Sequence, residues 1–399
     1  MEWQRLSIST VADVISGGTP KTDKPEYWDG DIPWLSVKDF AGDQKYVYKA
    51  EKSITPLGLQ KSATTLLEKD DIIISARGTV GEVAQIPFQM AFNQSCFGLR
   101  AKKGFSPDFL YYALKYQMKQ VKSISNGAVF DTIIIKTFDK IKCYFPSLSE
   151  QQRIASILSA YDSQIENNQK RIKLLEQMAE NLYKEWFVRF RFPGYETVEF
   201  EGGIPKGWGK GSVATYAEIM SGGTPKTDVV EYYGGNIPFF TPKDATDGFF
   251  SCSTFTMITE DGLNHCNSRY YPKNTITITA RGTVGRVNMM GVPMAMNQSC
   301  FALKSKYSGS NIYLFFALKE ASAMMKKMAS GGVFDTIVLK TFDHISILNP
   351  SVELLSQFDI IVSPILDTIL MLQKNNDILT TQRDLLLPRL MSGKLTINV

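Results

Sequence analysis

Two stretches of the chain place hydrophobic residues at alternating steps of three and four positions, the 3.5-residue period of a coiled-coil seam. The first lies within residues 150–190, which contain neither proline nor glycine. Its seam positions are Ile154, Leu158, Tyr161, Ile165, Asn168, Ile172, Leu175, Ala179, Leu182 and Trp186. One helix cannot bury such a stripe alone, so the pattern predicts a long helix that needs a partner.

The C-terminal segment supplies that partner with the same spacing. Its seam positions are Leu355, Phe358, Val362, Ile365, Ile369, Leu372, Asn376, Leu379, Arg383, Leu386 and Leu390. Each seam carries one asparagine, Asn168 and Asn376, and a single asparagine at a seam position fixes the register of a coiled coil. We therefore predict that the two helices pair antiparallel within the chain, with these asparagines setting the register.

The hydrophobic period changes between the long helices. β-Branched runs at residues 71–75 and 275–279 end in glycine-bearing turns and predict strands. The same reading predicts strands at residues 128–135 and 332–339 and helices at residues 107–118 and 311–325. Residues 191–211 are rich in glycine, proline and charge and are predicted to link the first long helix to the second globule.

The chain is an internal duplication. Trp3 matches Trp208, and the sequence SGGTPKTD of residues 16–23 recurs unchanged at residues 221–228. The segments ARGTVG (residues 76–81), NQSCF (93–97), VFDT (129–132) and KTFD (136–139) each recur 204 positions later. A globule and a long helix are therefore followed by a second copy of both.

The predicted fold class is α+β, with two tandem mixed α/β domains, each followed by a long helix. The two helices are predicted to form an antiparallel coiled coil with pseudo-two-fold symmetry. The predicted parts are residues 1–148 and 193–350 for the globules, and 149–192 and 351–399 for the helices. A target read by both copies would have two parts whose spacing the scaffold fixes, as in two-fold readers of DNA.

Composition excludes few classes of function. A net charge of +4 permits nucleic-acid binding without arguing for it. No unbroken run of eighteen apolar residues and no apolar N-terminal segment is present, so we expect no membrane span and no signal peptide. The cysteines are Cys96, Cys143, Cys252, Cys266 and Cys300. Without CxxC spacing they predict free thiols in a reducing cytoplasm.

The repeated GGTPKT turn superficially resembles a phosphate loop. Nucleotide hydrolysis is rejected, because Pro20 and Pro225 stand where such a loop needs glycine and a free N–H. The side chains left for contact are Lys21, Thr22, Lys226 and Thr227. A purely structural turn and a phosphate or base contact both stay open for this segment.

The repeated ARGTVG segment puts Arg77 and Arg281 on a glycine-rich loop at a strand end, where an arginine can fork onto guanine or phosphate. The alternative is an arginine paired to a carboxylate. Asn and Gln side chains of the NQS segment could fork onto adenine or could be buried structure. The candidate DNA contacts are Lys21, Thr22, Lys38, Arg77, Thr79, Asn93, Gln94, Lys226, Thr227, Lys243, Arg281, Thr283, Asn297 and Gln298.

Candidate catalytic residues are scarce. The two histidines, His265 and His344, have no counterpart in the other copy. The duplicated aspartates are Asp23/Asp228, Asp39/Asp244, Asp131/Asp335 and Asp139/Asp343, scattered among loops. No metal-ligand or nucleophile motif appears, so we predict no catalytic and no metal-binding residue.

Four motifs together resemble the specificity subunit of type I restriction–modification systems. They are IPKGW at residues 204–208, SGGTP at 16–20 with GDIPW at 30–34, LYKEWFV at 182–188, and LLLPRLMSG at 385–393. The resemblance covers essentially the whole chain. It implies two target-recognition domains and two helical spacers, the central spacer being residues 149–192.

The resemblance implies a bipartite double-stranded DNA target and two adenine-N6 methyltransferase subunits docked on the helices, with nuclease subunits as further partners. S-adenosylmethionine would belong to the methyltransferase, and ATP and magnesium to the nuclease, so this chain would hold no cofactor. Base specificity is expected where the copies diverge, for example at residues 34–36 and 239–241. The alternatives are an enzyme in its own right and a coiled-coil scaffold that binds protein partners.

Overall fold

The computed structural model of the chain describes residues 3–124, 132–307, 310–328 and 336–395. It divides into two compact units: Met1–Asn167 with Asn376–Val399, and Asn168–Asn375. Both cuts between the units fall inside long helices. The four-part division predicted above stays a prediction.

The first unit contains three small sheets and several helices. Its strands are β1 (Gln4–Ser7), β2 (Ala12–Ser16), β3 (Trp28–Leu35), β4 (Lys52–Ile54), β5 (Ile72–Ser75), β6 (Val83–Gln85), β7 (Ala91–Phe92), β8 (Cys96–Ala101) and β9 (Lys142–Phe145). Its helices are α1 (Ile8–Val11), α2 (Val37–Phe40), α3 (Pro56–Gln60), α4 (Pro107–Ile124), α5 (Thr137–Lys140) and the start of α6 (Leu148–Tyr183). The strand orders are β2-β8-β5-β6, β4-β3-β7 and β1-β9.

Strand β5 fixes the loop that follows it because both of its faces are buried. Successive side chains of a strand point to opposite faces. Ile72 and Ile74 pack into one hydrophobic core with α4 and α6, whereas Ile73 packs into a second core with Leu35 and Phe92. The predicted strand at residues 71–75 is confirmed, and its end is held rigidly between two cores.

The second unit repeats this topology. Its strands are β10 (Phe200–Glu201), β11 (Ile204–Pro205), β12 (Gly209–Ser212), β13 (Ala217–Ser221), β14 (Tyr233–Phe240), β15 (Phe250–Ser251), β16 (Thr256–Ile258), β17 (Ile276–Thr279), β18 (Val287–Met290), β19 (Ala295–Met296), β20 (Cys300–Ser305) and β21 (Ser346–Asn349). Its helices are α7 (Val213–Tyr216), α8 (Glu260–Asn264), α9 (Asn311–Met328), α10 (Thr341–His344) and the start of α11 (Val352–Met391). The orders β13-β20-β17-β18-β15, β16-β14-β19 and β12-β21 match those of the first unit, with β15 added.

The two long helices run antiparallel where each unit contains both. In the first unit, Asp162 of α6 pairs with Arg383 of α11, while Ile165 accepts a hydrogen bond from Asn376. The order of contacts along the two helices is therefore opposite. In the second unit, Trp186, just past the end of α6, packs on Phe358 near the start of α11, with ring centroids 5.5 Å apart. The proposed pseudo-two-fold symmetry stays a prediction.

A π-helical turn over Lys184–Val188 follows α6 directly. The wider turn gives the adjacent aromatic residues Trp186 and Phe187 room to face the core together. They are 6% and 3% exposed. The LYKEWFV motif is therefore a buried aromatic anchor of the second unit.

Two expectations about secondary structure are corrected. Residues 132–135 and 336–339 form no strand, and the rest of those predicted strands lies outside the described residues, as does most of the VFDT repeat. Ile133 donates one backbone hydrogen bond to Ala76, and Thr137 then caps a turn by accepting from Ile134. The predicted linker, residues 191–211, is folded: it carries the β10–β11 hairpin, and Trp208 stacks on Phe192.

Helix α11 would satisfy a membrane-span test by length and composition alone, with a mean hydropathy of 1.5 over its most apolar eighteen residues. The absence of an unbroken apolar run therefore does not by itself argue against a membrane-spanning helix. Phe358, Val362 and Ile369 are each fully buried in the core of the second unit. That packing accounts for the apolar composition of the helix in its first half.

Candidate nucleic-acid interface

An open cleft of about 540 Å³ lies in the first unit where the loops after β3, β5 and β7 meet the segment leading into β4. It is lined by Trp34, Ser36, Val37, Lys38, Asp39, Glu51, Lys52, Arg77, Gly78, Thr79, Asn93 and Ser95. Four of the candidate contacts, Lys38, Arg77, Thr79 and Asn93, are thus brought together from distant parts of the chain. The cleft carries three cationic side chains.

The loop after β5 holds Arg77 out into solvent. The Ser75 hydroxyl donates to the Thr79 carbonyl at 2.5 Å and accepts from the Glu82 N–H at 2.8 Å, which closes the loop at its base. Gly78 has φ +76°, a left-handed conformation that residues with a β-carbon seldom adopt. The glycine in this motif therefore serves the turn that exposes Arg77.

The second unit builds the same loop. The Thr279 hydroxyl donates to the Thr283 carbonyl and accepts from the Arg286 N–H, and Gly282 has φ +75°. Arg281 is exposed like its counterpart. Among the described residues, no carboxylate forms an ion pair with either repeated arginine. The alternative of an arginine held by a carboxylate therefore finds no partner in the part of the chain that the structure describes.

Asp39 anchors the backbone of the cleft, because both of its carboxylate oxygens accept hydrogen bonds. Its carboxylate accepts from the Ser36 N–H at 2.7 Å, the Ser36 hydroxyl at 2.8 Å and the Glu51 N–H at 2.8 Å. These bonds fix the start of α2 and tie it to the segment before β4. Lys38, between the anchored residues, stays exposed.

Asp244 repeats this anchor in the second unit. It accepts from the Thr241 N–H, the Thr241 hydroxyl and the Phe255 N–H, each at 2.7 Å. Lys243 is exposed beside it. The Thr283 hydroxyl donates to the Pro242 carbonyl at 3.2 Å, so the arginine loop and the lysine turn meet here as they do in the first unit.

The GGTP turn and the NQS segment are locked to each other. A β-carbon at Gly17 would lie 2.3 Å from the Asn93 carbonyl oxygen, so only glycine permits this approach. The Thr19 hydroxyl donates to the Gln94 side-chain oxygen, and the Asn93 side chain accepts from the Ser95 N–H at 3.0 Å. These contacts support the structural alternative for both motifs.

The second unit repeats the lock through Gly222, Thr224 and the segment 297–299. The Thr224 hydroxyl donates to the Gln298 side-chain oxygen, and the Asn297 side chain accepts from the Ser299 N–H at 3.1 Å. The amide oxygens that would fork onto adenine already accept one hydrogen bond each. DNA contact by Asn93, Gln94, Asn297 and Gln298 stays a prediction.

The lysine and threonine that end each GGTPKT motif are exposed on a turn and do not belong to the cleft lining of the first unit. These residues are Lys21, Thr22, Lys226 and Thr227. The turn is held from below, since the Trp28 indole donates to the Lys21 carbonyl at 3.1 Å. The structure therefore splits the candidate set into cleft residues and turn residues.

The expectation that residues 34–36 and 239–241 read bases is corrected for the first two residues of each segment, while Ser36 and Thr241 are partly exposed. Leu35 and Phe240 are fully buried, and Trp34 and Phe239 are 7% and 3% exposed. The Trp34 indole donates to the Gly18 carbonyl at 3.0 Å. These divergent side chains fill the cores beneath the surface, so divergence alone did not identify an exposed position.

The five cysteines are free thiols. Burial, helped by the nearby carboxylates of Asp39 and Asp244, raises the pKa of Cys96 and of Cys300 to about 12. Burial alone raises the pKa of Cys143 to about 12. Such thiols stay protonated and are poor nucleophiles. Within the described residues, no group of three His, Cys, Asp or Glu side chains could hold a metal ion.

The two seam asparagines differ in their surroundings. Asn168 is fully buried in the second unit. Asn376 is half-buried in the first unit, and its amide donates to the Ile165 carbonyl at 3.4 Å. A role for either residue in setting the register stays a prediction.

Two copies of one α+β domain, each with exposed cations around a glycine-bearing turn, define a duplicated binding module. The protein-family model described as the type I restriction modification DNA specificity domain matches residues 1–177 and 205–379 of this chain. The chain belongs to this family. It is thus a DNA-recognition component, and it is non-catalytic, as specificity subunits of type I restriction–modification systems are.

Individual relatives agree with this assignment. The MjaIX specificity subunit of Methanocaldococcus jannaschii is 28% identical, over 99% of this chain and 94% of the relative. The HindI specificity subunit of Haemophilus influenzae is 27% identical, over 72% of this chain and 77% of the relative. The solved S subunit from M. genitalium shares the fold at a TM-score of 0.62 and 18% identity, covering 100% and 97% of the two chains.

Three residues of the interface, and the anchoring role of two aspartates, were missed in the sequence. Lys52 and Glu51 line the cleft, and Phe255 occupies the position equivalent to Glu51. The repeat that follows these positions would have aligned them, because Ile54-Thr55 recurs as Ile258-Thr259, 204 positions later. The anchoring role of the repeated aspartates was hidden because their partners are backbone N–H groups.

Proposed function

We propose that this chain reads a bipartite double-stranded DNA site, one half-site with each copy of its duplicated domain. The observation that carries the proposal is the repeated arrangement of an anchored lysine turn beside an arginine loop. It consists of Lys38, Arg77 and Thr79 in the first unit, and of Lys243, Arg281 and Thr283 in the second. Such cations suit phosphate oxygens and guanine edges.

The side chains shared by both copies are assigned to positioning on the DNA backbone. Contacts that are the same in two domains cannot by themselves distinguish two different half-sites, whereas phosphates are the same in both. We therefore expect Arg77→Ala with Arg281→Ala to weaken binding to all duplexes and to make log K less steep against log salt by about two. Lys61→Ala with Lys273→Ala, at other exposed lysines, is the matched control.

Equal salt slopes for the arginine variant and for the control would show that the arginine loops do not contact DNA. Binding of duplex DNA that does not depend on salt at all would favour the alternative, a coiled-coil scaffold for protein partners. Both measurements use fluorescence anisotropy titrations of the chain in complex with its methyltransferase partner.

The long helices are proposed to dock two methyltransferase subunits, with nuclease subunits as further partners. On α6 of the second unit, Leu174 and Met178 are 64% and 53% exposed and lie one helical turn apart. They border a shallow hollow with Gln177 and Asn181. Exposed apolar side chains with a polar rim are typical of protein interfaces.

The cofactors of the proposed complex lie in its other subunits. S-adenosylmethionine would bind the methyltransferase, and ATP and magnesium would bind a nuclease where one is present. The complex would work in the cytoplasm, where its DNA target is. The apolar surface around Leu174 fits this assembly because the partner would cover it.

The experiment that tests the proposal is a map of methylated adenines by long-read sequencing. Cells express the partner methyltransferase alone, with this chain, or with the arginine variant. We expect a chain-dependent motif of two half-sites with a fixed gap, lost or weakened in the arginine variant. A complex that forms but produces no chain-dependent motif would overturn the proposal.

A further inference from the structure

One wall of the cleft carries two charged side chains in the first copy, and the equivalent positions of the second copy carry uncharged ones. The repeat aligns Glu51 with Phe255 and Lys52 with Thr256, each 204 positions apart. The other exposed lining positions keep their chemistry: lysine, arginine, threonine and asparagine recur, and Val37 becomes another apolar residue, proline. The difference between the copies is therefore concentrated at two adjacent positions.

The backbone that carries these side chains is the same in both copies. The Glu51 N–H donates to Asp39 at 2.8 Å, and the Phe255 N–H donates to Asp244 at 2.7 Å. Each anchor carboxylate is also tied to the turn before the repeated lysine. The side chains at 51 and 255 therefore start from equivalent fixed points.

The next residue is fixed by strand register. Lys52 pairs with Trp34 in the β3–β4 ladder, and Thr256 pairs with Phe239 in the β14–β16 ladder. The Lys52 ammonium also lies 5.6 Å from the centre of the Trp28 ring, a cation–π distance that restricts where the charge can go. A preorganised backbone and a restricted side chain are what a discriminating contact requires.

The two pairs of side chains suit different base pairs. A carboxylate accepts from the cytosine N4 amino group, and a lysine donates to guanine O6 and N7, so Glu51 and Lys52 match the two edges of one G·C pair. Apolar side chains and the threonine methyl match the C5-methyl group of thymine. Phe255, 85% exposed, is the side chain in the second copy able to make that contact.

A single exposed aromatic residue is common on protein surfaces and by itself carries no function. Phe255 differs from such a residue because its own N–H is held by Asp244, which is 6% exposed. The backbone that carries this exposed apolar ring is thereby fixed at the position equivalent to the charged wall of the other copy. Covering the ring with a methyl group would remove its apolar surface from water.

We propose that residues 51–52 and 255–256 are the base-reading positions of the two domains. Glu51 and Lys52 select a G·C pair in one half-site, and Phe255 with Thr256 selects the thymine methyl of an A·T pair in the other. This proposal rests on the proposed function of bipartite DNA recognition.

The test exchanges the two walls. Glu51→Phe with Lys52→Thr gives the first domain the wall of the second, and Phe255→Glu with Thr256→Lys does the reverse. Each variant is assembled with the methyltransferase partner, and its methylated motif is mapped by long-read sequencing. We expect one position of one half-site to change between G·C and A·T preference by about 5- to 150-fold, with the gap and the other half-site unchanged.

Truncation supplies a second measurement that does not depend on the exchange being tolerated. Phe255→Ala should relax the preference for A·T at one position, whereas Phe88→Ala, at an aromatic residue 45% exposed outside the cleft, should leave both half-sites unchanged. Thymine replaced by uracil in the duplex should cost the wild type affinity and should not affect Phe255→Ala.

The outcomes separate the two proposals. An unchanged motif in the exchanged variants, with binding intact, overturns the base-reading assignment and leaves bipartite recognition standing. Equal loss of affinity for every sequence also overturns it, because the residues would then support the fold or contact phosphates. A wild-type complex without any chain-dependent motif overturns bipartite recognition itself, and the assignment with it.

Discussion

A buried arginine at a seam position of α11 offers a direct test of how the first unit is held to its helices. The Arg383 side chain, 3% exposed, contacts Asp162 of α6 at 2.6 Å and Asp43 of the globule at 2.5 Å. Burial opposes its charge, but Asp162 and Asp43 outweigh that effect and raise the pKa of Arg383. Burial also opposes the charge of Asp43 and by itself would raise the pKa of that carboxyl, but Lys115 and Arg383 outweigh burial and hold the pKa below its ordinary value.

The magnitude follows from which contacts are buried. The Asp43 side chain is 58% exposed, so its pairing with Arg383 is screened and contributes about 0–1 kcal/mol. The Asp162 side chain is 7% exposed, and removing one partner of a buried pair costs about 3–5 kcal/mol. Arg383→Met should therefore destabilise the first unit by about 3–5 kcal/mol. Arg389→Met, at an exposed arginine of the same helix, should cost about 0.5 kcal/mol or less.

Amide hydrogen exchange followed by mass spectrometry measures this loss locally. Protection of α6 amides in the first unit should fall roughly 10²- to 10⁴-fold in Arg383→Met, while amides of the second unit serve as the internal reference. Adding Asp162→Asn removes the unpaired charge but keeps an acceptor for the Tyr112 hydroxyl, so part of the loss should return. If Arg383→Met behaves like Arg389→Met, the buried pair does not hold the unit together.

Two further variants test the second unit. Burial raises the pKa of Asp359 to about 6, so its folded state keeps a proton that the unfolded chain loses near pH 4, and stability falls as pH rises from about 4 to 6. Asp359→Asn should therefore stabilise the unit by on the order of 1–2 kcal/mol at pH 7 and add nothing at pH 4, as measured by urea titrations. An equal gain at both pH values would show that ionisation of Asp359 is not the cause. Gly222→Ala would put a β-carbon 2.2 Å from the Asn297 carbonyl oxygen and should lower the free energy of unfolding by about 1–3 kcal/mol. Gly209→Ala is the control, because its β-carbon would have no neighbour nearer than 3.5 Å. The control should unfold at nearly the wild-type urea concentration.

Hydrophobic spacing predicted the long helices and the faces they bury. Seam positions such as Leu158, Phe358, Val362 and Ile369 are fully buried, and the polar seam residue Arg383 has a buried carboxylate partner. Periodicity suffices here because the period of a helix decides which side chains share a face. The duplication likewise predicted that both units would share one topology.

The sequence could not separate exposed from buried divergence. Trp34 against Phe239 and Glu51 against Phe255 are equally visible as differences between the copies, yet the first pair is buried and the second lies at the surface. Burial at these positions depends on pairing between strands that are distant in the chain, such as β3 with β7. No local pattern of residues contains that information.

Several residues of the shared motifs serve the backbone, which is the structural interpretation that the sequence left open. Glycines that resemble a phosphate loop serve a close approach of two backbones, as at Gly17, and the aspartates that could have been catalytic accept hydrogen bonds from the backbone. Both copies therefore keep the residues that shape the cleft, together with the cations that any DNA backbone would attract. The anchors Asp39 and Asp244 each bind a backbone N–H, so the anchoring hydrogen bond does not depend on which side chain the anchored residue carries. Under the base-reading proposal, substitution at one anchored position would therefore change a half-site without disturbing the cleft.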